Sequence, residues 1–466
     1  MDRFEAWFDG PDDTSSSAAA RPRTIVFPTL GQGLFRAGVL ASALLIGTSL
    51  IGGAHRIGII STAGEIGTVE PSPDPSTDGE VSITPGPGPS ESPTATMPPQ
   101  TTIAGALPPN DCKLQKPTSK WLFSAGFPIT DFSDVETTGS LKIAVLYVEF
   151  PDAVRRSPVA ELHKQIEEHV NSIYAEMSYG KLTVDLIPSA DWIMMDKRST
   201  AYNVLQQEAD ESSVAKYVGE AVQKADPNMD FTGVDAVAVF ATELADGVAG
   251  DFQLTLQDRI PTAENNGLYS TIITGGEWWR EDIDARALAH EIGHVLGLQD
   301  LYAGGDTTEF NDAHPYVGYF DFMSYGWSDS HAPTFFGWNR WRLGWISDTQ
   351  VVCIKPSAGT EVSVAALQKG QGTLLVVIPL SATRAVVIES RKAIGWDHSL
   401  VESGALVYLV DTGIDTTEGP IKVMADTFGD GFDSAPLSAG EYVDALSYTI
   451  TSLESAEWGE KIYITP

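Results

Sequence analysis

His290-Glu291-Ile292-Gly293-His294-Val295-Leu296-Gly297-Leu298-Gln299-Asp300 is the stretch from which the rest of the chain is read. Two histidines four positions apart present their imidazoles on one face of a helix, where both can bind a single zinc ion. Glu291, beside the first histidine, is placed to act as a general base toward a water at the open fourth position. Gly297 can adopt the left-handed backbone that ends a helix, so that the chain doubles back and Asp300 arrives as a third ligand. The spacing therefore predicts a hydrolytic zinc centre. A helix whose histidines are only polar surface residues is the competing reading.

The flanking residues support the helix. Asp284 is an expected N-cap, and Leu288, Ile292 and Val295 follow at helical spacing, on the side away from His290 and His294. Downstream, Gly318-Tyr319-Phe320-Asp321-Phe322-Met323-Ser324-Tyr325-Gly326 places a methionine and a tyrosine where a Met-turn would lie. A H-E-x-x-H-x-x-G helix followed by such a turn resembles the metzincin metallopeptidases. Within that group the chain resembles the immune inhibitor A-like peptidases of secreted bacterial proteins. The matching pieces are Ser178-Tyr179-Gly180-Lys181-Leu182, the zinc helix running into Asp300-Leu301-Tyr302, Phe320-Asp321-Phe322-Met323-Ser324, and Leu343-Gly344-Trp345. The likeness covers roughly residues 140 to 346.

The resemblance implies a zinc-dependent endopeptidase acting on protein or peptide substrates. Met323 would form an apolar floor beneath the metal, and Tyr325 would approach the metal and stabilise the tetrahedral intermediate. Many metzincins carry histidine as third ligand, whereas this chain carries Asp300; a carboxylate oxygen is acceptable to zinc. Asp306 and Glu309 are the neighbouring acids that compete for the role. A thermolysin-like arrangement would take its third ligand from a glutamate on a second helix, but Glu309 sits in residues 303–312, whose composition is that of a loop. Glu291 must stay out of the ligand set to serve as base.

The N-terminal part indicates where such an enzyme works. Residues 37–54 are an uncharged run of small and aliphatic residues, with apolar character continuing to Ile60, and 37–60 is expected to be a transmembrane signal anchor. Arg21, Arg23 and Arg36 precede it and Arg56 follows, which puts residues 1–36 in the cytoplasm and the bulk of the chain outside the cell. A cleaved signal peptide is the alternative. Residues 61–111 are dominated by Pro, Ser, Thr and Gly and form an expected disordered linker. Such a spacer reaches about 40 Å as a random coil and up to about 150 Å if stiffly extended.

Residues 112–346 are expected to form an α/β metzincin-type catalytic domain, a mixed sheet plus the zinc helix, and 347–466 a β-sandwich-like appendage. Residues 141–148 read as a buried strand. Ser157-Pro158 opens a helix with Val159, Leu162, Ile166, Val170, Ile173 and Met177 on one face. A further helix is expected near 203–225, a strand at 234–240 and a closing helix at 333–343. Beyond, the β-rich runs are 373–378, 384–389, 405–410 and 442–450. Cys112 and Cys353, the two cysteines, would form a disulfide in an oxidising setting. A latent form with Cys112 plugging the zinc is the rival reading.

The net charge of −34 argues against nucleic acid as a partner. Asp426, Asp430 and Asp433 lie in a glycine-containing loop that could hold calcium, although the spacing matches no EF-hand and a solvated acidic turn competes with it. Trp278 and Trp279 are candidates for the cleft or for the core. A catalytically silent adhesion protein on the same fold is the alternative to an enzyme; the presence of Glu291 favours catalysis.

Overall fold

The computed structural model describes residues 103, 105–117, 124–129, 135–155, 157–206, 208–264, 267–275, 285–305, 313–325, 334–425, 432 and 434–466. The expected cytoplasmic tail and anchor, Asp284, Trp278, Trp279, Asp306, Glu309 and the aspartates of the calcium reading lie outside these residues. Among the described residues, no helix is long and apolar enough to cross a membrane. Pro87–Pro466 is one compact unit.

The first layer is a sheet ordered Leu182–Pro188, Gly139–Glu149, Ala236–Ala241, Leu268–Thr274, Asp251–Ile260. The first four strands pair in parallel and the last is antiparallel at the edge. Parallel strands buried on both faces read as continuous apolar runs. Residues 141–148 do so and, apart from Lys142, are fully buried. Helix α1, Val159–Met177, buries the six residues assigned to its apolar face. The expected helix near 203–225 begins later, as α2, Glu211–Ala225. Asp210 caps it, accepting from the Ser213 N–H, while Val204–Leu205 is instead a short strand paired with Val248–Ala249. Asn203, with φ 54, turns the chain before that cap.

Helix α3, Ala285–Val295, carries His290, Glu291 and His294 and buries Leu288, Ile292 and Val295. The Tyr174 hydroxyl of α1 donates to the Ala289 carbonyl at 2.6 Å and fixes the two helices together. A single turn α4, Phe322–Tyr325, and a helix α5, Gly337–Arg342, follow. The closing helix is shorter than 333–343 because residues 334–336 are extended and give their N–H groups to Asp397, Met177 and Asp321.

The C-terminal part is two sheets. One is ordered Ala106–Leu107, Val351–Ile354, Leu375–Pro379, Arg384–Arg391, Gly404–Asp411, Ile421–Val423; the other Thr360–Ala365, Gly459–Thr465, Tyr448–Ala456, Tyr442–Ala445. The run expected over 442–450 is a hairpin, turning at Leu446 with φ 58. Residues 106–107, at the end of the expected linker, pair with Cys353 and Ile354. Cys112 and Cys353 are joined by a disulfide, so Cys112 is no plug for a metal. One continuous core runs from α1 and α3 through Trp338 and Trp345 into Val377, Val387 and Tyr408.

Candidate metal centre

Gly297 ends α3 with φ 89, the left-handed conformation anticipated for it, and the Leu298 N–H closes back on the Gly293 carbonyl at 2.9 Å. The reversal carries Asp300 beneath the two histidines. Asp300 Oδ1 lies 3.2 Å from His290 Nε2 and 3.1 Å from His294 Nε2. One ligand atom from each of the three side chains falls within 4.8 Å of the others.

The other ring nitrogens are committed elsewhere. His290 Nδ1 is 3.1 Å from the Phe322 carbonyl, and His294 Nδ1 is 2.9 Å from the Leu298 carbonyl. A carbonyl only accepts, so each Nδ1 carries a proton and Nε2 is the nitrogen that each ring turns toward Asp300. Outer hydrogen bonds of this kind fix the tautomer and ring orientation of metal-ligating histidines. Two imidazole nitrogens and a carboxylate oxygen form a donor set that suits zinc and leaves a position open.

Burial works against charge here, and at His294 and Asp300 the neighbours outweigh it. Burial would depress His294, but Asp300 lifts the imidazole to about 9. Burial would raise Asp300, but His294 and His290 hold it well below the usual carboxylate range. The two shifts describe one attraction. Burial raises Glu291 above the ordinary value, with the two histidines opposing. Glu291 is 5% exposed; the Gln253 backbone N–H donates to its carboxylate, and Oε2 has no hydrogen-bond partner. The cleft over these groups is lined by Glu291, His294, Asp300, Tyr302 and Thr416, with Gln206 and residues 251–253 of the edge strand. Glu291 thus lines the cleft while its Oε2 is itself buried and unpartnered, a group that calls for a functional explanation.

Met323 is fully buried against α3. Its backbone is held by Asp321, whose Oδ1 accepts from the Met323 N–H at 2.7 Å, and its carbonyl accepts from the Leu301 N–H at 3.0 Å. The backbone of Tyr325 ends α4; its side chain lies outside the described residues. The phenol that does line the cleft is Tyr302, whose ring stacks on His290 at 6.2 Å and which hydrogen-bonds Asp300. Its signal in the sequence was its place at the end of the matching piece Asp300-Leu301-Tyr302, two residues after Asp300. Thr416 carried no such signal, because it reaches Asp300 from 116 residues away.

No family model and no curated protein matches the chain. Among solved structures it is similar to metalloproteinase-II from Bacteroides fragilis, at 15% identity over 48% of this chain and 58% of that one, with TM-score 0.27. It is also similar to archaemetzincin from Methanopyrus kandleri, at 16% identity over 44% of this chain and 94% of that one, with TM-score 0.24. Catalytically inactive OgpA from Akkermansia muciniphila, in complex with an O-glycopeptide, is 11% identical over 62% of this chain and 92% of that one, with TM-score 0.24. This chain spans 58% of the length of the first of these structures. Likenesses of this size carry no argument, and the functional reading rests on the side chains.

Proposed function

We propose that the chain is a zinc-dependent endopeptidase with His290, His294 and Asp300 as ligands and Glu291 as general base. The observation that carries the reading is the convergence of His290 Nε2, His294 Nε2 and Asp300 Oδ1, beside a cleft-lining Glu291 with Oε2 unpartnered. When bound, zinc supplies Lewis acidity at its open position, polarising a carbonyl and making water there more acidic. Glu291 accepts the proton of the attacking water and returns it to the leaving amine, so that it starts and ends as a carboxylate. The Nδ1 hydrogen bonds to Phe322 and Leu298 keep both imidazoles aimed while this happens.

An extended peptide suits the cleft. Asp251–Ile260 is the edge strand of its sheet, and its first three residues line the site. An edge strand can receive a substrate chain as a further strand, here through backbone groups other than the Gln253 N–H and the Asp251 carbonyl, which Glu291 and Gln206 already take. The finer assignment to the immune inhibitor A-like peptidases rests on the motif residues quoted above, from Ser178 to Trp345. Anchoring through residues 37–60, with the enzyme outside the cell, rests on the apolar run and its flanking arginines. The Cys112–Cys353 disulfide is in keeping with that oxidising side of a membrane.

The test is metal content and hydrolysis on one preparation of the full chain. One zinc per chain is expected, with cleavage of an unstructured protein that a chelator stops and added zinc restores. A chain that takes up no zinc, or one whose cleavage survives the chelator, would contradict the proposal.

A further inference from the structure

The third ligand sits on an irregular segment, where no helix or strand fixes its backbone. Both of its backbone polar groups are taken by two consecutive residues from the other end of the chain. The Asp300 N–H donates to Thr416 Oγ1 at 3.1 Å. The Asp300 carbonyl accepts from the Thr417 N–H at 3.3 Å, and the Gly304 N–H donates to the Thr417 carbonyl at 3.2 Å. Thr416 and Thr417 belong to residues 412–420, the loop joining strands Gly404–Asp411 and Ile421–Val423 of the six-stranded sheet. Thr416 also forms part of the cleft wall beside Asp300 and Tyr302.

The loop carries a mark of constraint. Thr417 has φ 61, a left-handed conformation that is rare for a β-branched residue and persists only where the surroundings over-determine it. Those surroundings are the ligand segment. A Cβ at Gly304 would come 2.9 Å from Thr417 Oγ1, so the two segments meet without room for a side chain at 304. The loop is pinned at its start, where Thr412 Oγ1 donates to the Gln115 carbonyl at 2.6 Å and the Thr412 carbonyl accepts from Ser124 Oγ at 2.9 Å.

We infer that Thr416 is a positioning residue for the metal centre: its hydroxyl oxygen tethers the Asp300 backbone, so that zinc affinity depends on a loop of the C-terminal sheet. The inference rests on the zinc reading proposed above and deepens it. A carboxylate on an untethered segment can swing away from the two Nε2 atoms, and two histidines alone do not complete a zinc site. Loss of an outer partner of a ligand typically weakens metal binding by roughly 10- to 100-fold. The C-terminal sheet is then part of the site instead of an appendage to it.

The experiment compares zinc affinity of the full chain, by competition with a chromogenic chelator, for wild type, Thr416→Val and Thr416→Ser. Valine keeps the shape without the oxygen; serine keeps the oxygen. Thr416→Val is expected to bind zinc at least about tenfold more weakly and Thr416→Ser within about threefold of wild type, while the metal-free proteins unfold at the same temperature. Wild-type affinity in Thr416→Val overturns the inference, as does an equal loss in Thr416→Ser. Should Thr416→Val fail to fold, Thr416→Ala is judged by the same criteria. A wild-type chain that binds no zinc removes the metal reading and this inference together, which is a different result from a wild type and a Thr416→Val that bind equally well.

Discussion

Met323 Sδ lies 2.5 Å from the point a Cβ on Gly293 would occupy, in the middle of the helix that carries both histidines. The absence of a side chain at 293 is what lets the methionine sit directly against the backbone between the two proposed ligands. Phe335 lies 3.4 Å from the same point, and Met323 is fully buried, so a shift of its side chain must be made within a packed core.

The Gly293→Ala substitution follows from this contact. Alanine improves intrinsic helix propensity by about 1 kcal/mol, whereas overpacking a filled core costs roughly 1–3 kcal/mol. The clash should win. A net loss of stability on the order of 1 kcal/mol is expected in denaturant unfolding, with weaker zinc binding. A variant more stable than wild type would mean that Met323 is free to relocate.

Arg391 is the second point of leverage, because it joins the C-terminal sheet to the turn under the site. Fully buried, it donates through Nε to Glu389 at 2.7 Å and through Nη1 to Asp397 at 2.8 Å, and it also donates to the carbonyls of Phe320 and Thr334. Removing one member of a buried charged cluster leaves the others uncompensated, at a cost of about 3–5 kcal/mol. Arg391→Met should therefore unfold at markedly lower denaturant concentration. An unchanged midpoint would show that the cluster is not coupled to stability.

The Cys112–Cys353 bond closes a sequence separation of 241 residues. Replacing both cysteines by serine should lower stability by about 2–5 kcal/mol and loosen the Ala106–Leu107 strand that pairs beside Cys353. Calorimetry of the two proteins measures the first effect and hydrogen exchange at residues 106–107 the second. Equal melting temperatures would contradict it.

Acid sensitivity should have a contribution from His314. Burial lowers this imidazole to about 4 from its ordinary 6.5, and it lies 3.1 Å from Ser324 Oγ, next to Met323. A depressed imidazole keeps the folded state neutral while the unfolded state takes up a proton first. The stability it supports is therefore complete above pH 6.5 and is lost as pH falls from 6.5 toward 4. Between pH 7 and 5 the stability of wild type should fall relative to His314→Gln by about 2 kcal/mol. A difference that does not vary with pH would contradict the account.

Much of this site was legible because its first half is local. The four-residue histidine spacing, the glutamate beside it and the glycine that reverses the chain all act within eleven residues, and Gly297 takes the conformation that the pattern demanded. The faces of α1 and α3 were legible for the same reason, since helical periodicity is a property of neighbours in sequence. What escaped depends on distant partners. Asp210 rather than Asn203 starts α2 because its carboxylate caps the Ser213 N–H, while Val204 and Leu205 find a partner strand 44 residues away. Arg391 and Glu389 read as ordinary charges on a β-strand, and only the fold buries them together. The pairing of Thr416 with Asp300 has no trace in either segment.

The central claim is that Glu291 moves the proton at a zinc site it does not help to build. Wild type and Glu291→Gln are brought to equal zinc content, and the rate at which each cleaves an unstructured protein is compared. The account predicts matched metal affinity and a loss of cleavage in the variant of about 100- to 10,000-fold, the range of a general base. A glutamine variant that loses its zinc would make Glu291 a ligand, and one that cleaves at the wild-type rate would remove the proposed base.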